Sequence, residues 1–147
     1  MYSNGFQSYR KTNVITADPK RLVLMCYEGV IENLEIAKNR YADKDYEGKA
    51  LVIKKAQDII NELMCSLDFE KGGSIAGNLE SLYNYMIRRI IHADVNSDIN
   101  AIEEVIGILN ELKSAWEGAF YGQAGKTGLE TMAFDEDTRH VANYVSI

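Results

Sequence analysis

Ser66–Arg89, SLDFEKGGSIAGNLESLYNYMIRR, joins two helical patterns through a glycine pair and decides the fold class. Upstream, Leu63 and Leu67 close one apolar stripe. Downstream, Ile75, Leu79, Leu82, Met86 and Ile90 form a second stripe, beside a row of Tyr83, Ile87 and Ile91, with Tyr85 outside both. Gly72-Gly73 supplies a backbone able to turn at positive φ, and Ser74 can cap the helix that follows. The stretch therefore reads as a helical hairpin.

The same three-and-four spacing extends to either side. Asp18 before Pro19 marks a helix start, with an acceptor at the cap and a residue lacking an N–H at the first helical position. From there to about Tyr41, Val23, Tyr27, Val30, Leu34, Ala37 and Tyr41 keep one face inward. Within that helix Leu22–Tyr27 is apolar all round and must be covered on both sides. A second helix, about Asp45 to Asp68, carries Ile53, Ala56, Ile60, Leu63 and Leu67. The third is expected over about Ser74–Ala93, and the fourth, from near Asp98, carries Ile102, Val105, Leu109, Leu112, Trp116 and Ala119. The loops near Ala42–Lys44, Phe69–Gly73 and Asp94–Ser97 are short, which makes consecutive helices antiparallel neighbours. The expected fold is all-α: an antiparallel up-down four-helix bundle over residues 18–121, with a mobile N-terminal arm (1–17) and a C-terminal linker and tail (122–147). Glycines at 29, 77, 107 and 118 fall inside helices, where close approach of another backbone and neutral tolerance are both open.

Composition narrows the function. A chain of 147 residues, 46% hydrophobic with a single proline, is long enough for one core and calls for one domain. A net charge of −6 argues against an electrostatic nucleic-acid binder. Cys26 and Cys65 lie in apolar helical patterns and read as reduced core thiols. The polar N-terminus carries no signal-peptide pattern and no apolar run approaches a membrane span, so a cytoplasmic location without membrane insertion is expected.

Chemical motifs fail on inspection. Gly125-Lys126-Thr127 matches the end of a phosphate-binding loop, but the loop's first glycine falls on Phe120 and a helix precedes it. A carboxylate-bridged metal centre needs Glu-x-x-His pairs, whereas Arg89 precedes His92 and Asp137 precedes His140. Without a nucleophile elbow or positioned base either, no catalytic residue, metal or cofactor is expected, and the protein is read as a non-enzyme. What remains is surface for binding. Nine tyrosines supply area with a polar tip, and Tyr2, Tyr9, Tyr46, Tyr85 and Tyr144 fall off the core stripes.

Three segments in order, TADPKRLVLMCYEG (Thr16–Gly29), the Ser66–Arg89 hairpin and EEVIGILNELKSAWE (Glu103–Glu117), together resemble the flagellin-specific export chaperones, the FliS family. The resemblance spans roughly residues 5 to 121. It implies a cytosolic chaperone that binds the C-terminal segment of flagellin, holds it monomeric and delivers it to the flagellar export gate. It implies that the client wraps around the bundle while the arm covers part of the same surface. The matching arm positions are Phe6, Tyr9, Val14 and Ile15, leading into Leu22; on the bundle the expected contacts are Tyr27, Ile59, Leu63, Tyr83, Tyr85 and Met86. Phe6 and Tyr9 are also the candidates for meeting the export-gate protein. Cys26-Tyr27-Glu28-Gly29 stands where the family commonly shows Leu-Tyr-Asp-Gly, and residues 122–147 lie outside the resemblance, which carries no role over to them. A helical adaptor or inhibitor acting on a protein other than flagellin is the alternative, distinguished by its client.

Overall fold

The computed structural model describes residues 18–122, whose regular elements are four helices: α1 (Pro19–Ala42), α2 (Tyr46–Cys65), α3 (Phe69–Asn96) and α4 (Ile99–Tyr121). One chemistry starts all four. The carboxylates of Asp18, Asp45, Asp68 and Asp98 accept hydrogen bonds from the backbone N–H of Arg21, Gly48, Lys71 and Ala101 at 2.7, 3.0, 2.9 and 3.4 Å. Each supplies an acceptor to one of the first-turn donors that a helix leaves without a partner.

The α2–α3 corner differs in detail from the sequence expectation. Helix α2 stops at Cys65, the Ser66 hydroxyl donates to the Glu62 carbonyl at 2.9 Å, and Asp68 caps a new turn, Phe69–Gly72. Gly73 (φ 49°, ψ −122°) then breaks the helix before it resumes at Ser74. The glycine pair makes the turn, as its backbone freedom requires, but the cap at this corner is Asp68.

The helices close into a ring. Helix α1 packs most extensively on α2 and next on α4, while α3 lies against α4 and α2. The polar contacts fix the directions. Lys38 pairs with Glu103 at 3.6 Å and Lys113 with Glu28 at 3.5 Å, so α1 and α4 are antiparallel. The Lys49 ammonium, 3.1 Å from Asp94, ties the start of α2 to the end of α3. The bundle is the up-down arrangement that short loops dictate.

Inside, the predicted stripe of α1 is buried from Val23 to Ala37, and all six residues from Leu22 to Tyr27 are enclosed. Leu34, Ile60, Leu63 and Leu109 are fully buried from three helices, each stabilising by about 1.5–3 kcal/mol relative to exposure. On α3 the inward series is Leu79, Tyr83, Met86 and Ile90, with Leu82 only half-buried, because steps of four, three and four hold Tyr83 on the core-facing line. Cys26 is buried as expected. Cys65 is a correction: two residues past Leu63, it faces out and is exposed.

Of the four mid-helix glycines, only Gly29 marks a close approach: a Cβ there would stand 3.3 Å from Ile59 Cδ1, whereas nothing lies within 4 Å of one on Gly77, Gly107 or Gly118. A Gly107→Ala variant is therefore expected to gain about 0.5–1 kcal/mol from helix propensity. Gly29→Ala gains less or loses, since the α1–α2 contact must give. Urea midpoints of the two variants compare them directly, and an equal gain at both sites would refute the close-approach role of Gly29. Among the described residues, no helix is long and apolar enough to cross a membrane.

Candidate partner-binding surface

Tyr27, Tyr83 and Trp116 carry polar tips into an apolar interior, and buried tips of this kind need partners. They supply them to one another. Trp116 Nε1–H donates to Tyr27 Oη at 2.9 Å, and the Tyr27 and Tyr83 hydroxyls share a proton contact at 2.5 Å. The chain links α4, α1 and α3 across the core. Burial pushes both phenols well above their ordinary pKa, with the hydrogen bonds from Tyr83 and Trp116 opposing that rise at Tyr27. Burial, with the Glu62 charge second, pushes the neighbouring Cys26 thiol up to about 12.

Six of the bundle residues expected to meet a client are therefore interior. Leu22, Tyr27, Ile59, Leu63, Tyr83 and Met86 are between 0% and 3% exposed. The neighbouring helices cover them, so a partner touches them only if those elements move aside. Tyr85 is different: it is 37% exposed on α3. Its hydroxyl donates to Glu104 Oε1 on α4, and Arg89 Nε stands 3.5 Å from the same oxygen. The hydrogen bond to Glu104, ahead of desolvation, raises the Tyr85 pKa. Phe6, Tyr9, Val14 and Ile15 lie outside the described residues.

Other apolar side chains are presented to solvent. Phe69 and Tyr121 lie at the end where α1 begins; Tyr46, Leu51, Ile91 and Val95 lie toward the other end. Only Tyr46 was legible as an off-stripe aromatic. Leu51 has a signal in hindsight, since it precedes the inward pair Val52-Ile53 and falls on the opposite side of the helix. The sequence also gave no warning of Lys49. It is 6% exposed, its ammonium 5.4 and 5.5 Å from the Tyr41 and Tyr46 ring centres and 3.3 Å from the Asp94 carbonyl. This cation is enclosed by rings and oxygens, a packing role for a residue whose class is usually solvated.

Among the described residues no cluster of three or more His, Cys, Asp or Glu side chains is placed to hold a metal ion. His92 Nε2 lies 3.3 Å from Asp98 Oδ2 and its Nδ1 3.1 Å from the Asn96 side-chain nitrogen, contacts that knit the α3–α4 corner.

A family model described as flagellar protein FliS matches residues 2–123. The chain belongs to the FliS family. It is 39% identical over 123 residues to the flagellar secretion chaperone FliS of Salmonella typhimurium, covering 80% of this chain and 91% of that one. The FliSB chaperone of Pseudomonas aeruginosa is 38% identical over 108 residues, 74% and 86% of the two chains. The Bacillus subtilis FliS is 30% identical over 120 residues, 82% and 89%. The FliS match takes in nearly all of residues 1–17 and reaches just past the end of α4, leaving residues 124–147 outside it.

Proposed function

We propose that this FliS-family protein is a cytoplasmic chaperone of flagellar export that binds the C-terminal segment of flagellin, prevents its premature polymerisation and delivers it to the export apparatus. The observation that carries this reading is the family match over residues 2–123, together with relatives named flagellar secretion chaperones at 30–39% identity. The architecture suits such work. A closed bundle with a rigid core and apolar side chains on its outside offers a template on which a disordered client can order, and the ordering entropy keeps binding reversible.

In this reading the arm, residues 1–17, and the bundle, 18–121, act as separate parts. Phe6, Tyr9, Val14 and Ile15 on the arm and Tyr85 on α3 offer direct contact. Leu22, Tyr27, Ile59, Leu63, Tyr83 and Met86 contribute through the shape they give the bundle, or directly where binding draws the covering segments away. Phe6 and Tyr9 are also the proposed contact for an export-gate protein. Titration calorimetry of the full chain with a peptide of the flagellin C-terminal region tests the function. A one-to-one complex in the micromolar to nanomolar range, about −8 to −12 kcal/mol, with a large negative heat-capacity change, is the expected result. Absence of heat and of co-elution at micromolar concentrations rejects it and returns the client to some other protein.

A further inference from the structure

The side of α3 turned away from the core carries a stripe of its own. Gly77, Glu80, Asn84, Arg88, Ile91 and Val95 follow one another at steps of three and four, out of phase with the buried series Leu79, Tyr83, Met86 and Ile90. Ile91 and Val95 are 46% and 74% exposed, one turn apart. Glu80 and Arg88 are exposed too, and neither enters an ion pair among the described residues.

This stripe is complementary to itself about Asn84. Glu80 and Arg88 stand four residues to either side of it, Gly77 and Ile91 seven, Gly73 and Val95 eleven. Four, seven and eleven are the intervals at which a helix returns to one face. Two α3 helices laid antiparallel about a twofold axis at Asn84 therefore bring Glu80 of each opposite Arg88 of the other, Ile91 opposite Gly77, and Val95 opposite Gly73. Opposite charges meet, and each apolar side chain meets a residue without one. Gly73 is explained by its own turn, but Gly77 lies mid-helix, where glycine lowers helix propensity, and a Cβ there would meet nothing within 4 Å inside the bundle. Close approach of a second α3 gives it a use.

The surrounding charges leave the pairing free to form. Along the α4 edge Arg89 pairs with Glu104 at 3.5 Å, and at the α2 edge Lys49 pairs with Asp94 at 3.1 Å. His92 and Asp98 lie 3.3 Å apart at the α3–α4 corner, beyond the stripe's end. Glu70 and Lys71, before the Gly73 break, are of opposite sign. The net charge of −6 on each chain acts at longer range, and about 0.15 M salt screens it beyond about 8 Å.

We propose that two copies of this chain associate through the outer face of α3, antiparallel about Asn84. A twofold contact sets each surface against itself, so it demands self-complementarity in charge and in volume, and this stripe meets the demand at each step outward from its centre. The two Asn84 amides on the axis fix the register, as a single polar residue does within a coiled-coil seam.

Sedimentation equilibrium of the full chain under reducing conditions tests this, from about 1 μM to about 1 mM protein in about 0.15 M salt, the range in which a small helix-face contact dissociates. The mass is expected to rise from one copy toward two and to level there, because a closed twofold contact admits no third copy. Ile91→Asp should weaken association about a hundredfold, since each pair of chains loses two covered side chains. Arg88→Glu should weaken it about tenfold. Neither residue belongs to the core, so far-UV circular dichroism and melting temperature should stay unchanged in both variants. Glu80→Arg combined with Arg88→Glu should return association to near the wild-type level, which damage from either change alone would not do. A single-copy mass at every concentration overturns the proposal. So does a dimer that Ile91→Asp and Arg88→Glu leave intact, which places the contact on another surface, and so does a charge exchange that fails to restore association.

Discussion

A Tyr27→Phe variant is expected to lose about 2–3 kcal/mol of stability, and Tyr83→Phe about 1 kcal/mol, because a buried hydrogen bond contributes about 1 kcal/mol net and an orphaned partner costs more. The asymmetry follows from position in the chain of polar tips. Tyr27 Oη is the middle atom: it accepts from Trp116 Nε1–H and shares the 2.5 Å contact with Tyr83. Phenylalanine at 27 withdraws both contacts at once. At 83 it withdraws one and leaves the Trp116–Tyr27 bond in place. Volume changes little in either case, so the difference reads polar connectivity rather than packing. Urea denaturation reports it as a shift of midpoint at constant m-value. Equal losses in the two variants would show that the link from Trp116 contributes nothing to holding α4 against α1.

Why the bundle was legible while its surface was not follows from what each depends on. The helices announce themselves by stripes that repeat over five or six turns, and a single proline at the first position of α1 leaves no competing signal. Asp18 and Asp98 were readable as starts because a short acidic side chain stands just before each stripe. Ser74 was not the cap at the α2–α3 corner because Asp68, six residues earlier, starts a turn that local propensity alone does not reveal. The core residues were largely readable from the stripes, yet a client site placed among them meets a physical conflict: Met86, on the stripe, and Tyr83, read on the row beside it, are both inside. Tyr85, off the stripe, was the position at which sequence and exposure agree. Cys65 and Lys49 show the opposite failure. Which side of a helix is covered near its end depends on the neighbouring helix, and a pattern of residue types along one chain does not contain that neighbour.

Alkali is expected to unfold this bundle cooperatively, and the groups responsible are inside it. In the unfolded chain the Cys26 thiol and the Tyr27 and Tyr83 phenols lose their protons near pH 9 and 10, the ordinary values for these groups. In the folded state burial holds the thiol up to about 12 and both phenols well above 10. A group whose folded pKa is raised contributes its full stability below the unfolded pKa and loses it as pH climbs toward the folded value, since the unfolded state then binds fewer protons. Each such group lowers stability by about 1.4 kcal/mol per pH unit, so three together remove about 4 kcal/mol per unit above pH 10. The loss accumulates as pH climbs past 10, and an ordinary domain has only about 5–15 kcal/mol to lose. The part of the tyrosinate absorbance that belongs to the two enclosed phenols should therefore rise in the same step in which helical ellipticity falls, separately from that of exposed tyrosines such as Tyr46 and Tyr121. The Tyr83→Phe variant, with one phenol fewer, should show a shallower fall in unfolding free energy with pH, by about 1.4 kcal/mol per unit. Gradual ionisation of all the tyrosines with ellipticity intact, or the same slope in Tyr83→Phe as in wild type, would mean that the enclosed hydroxyls reach solvent without unfolding.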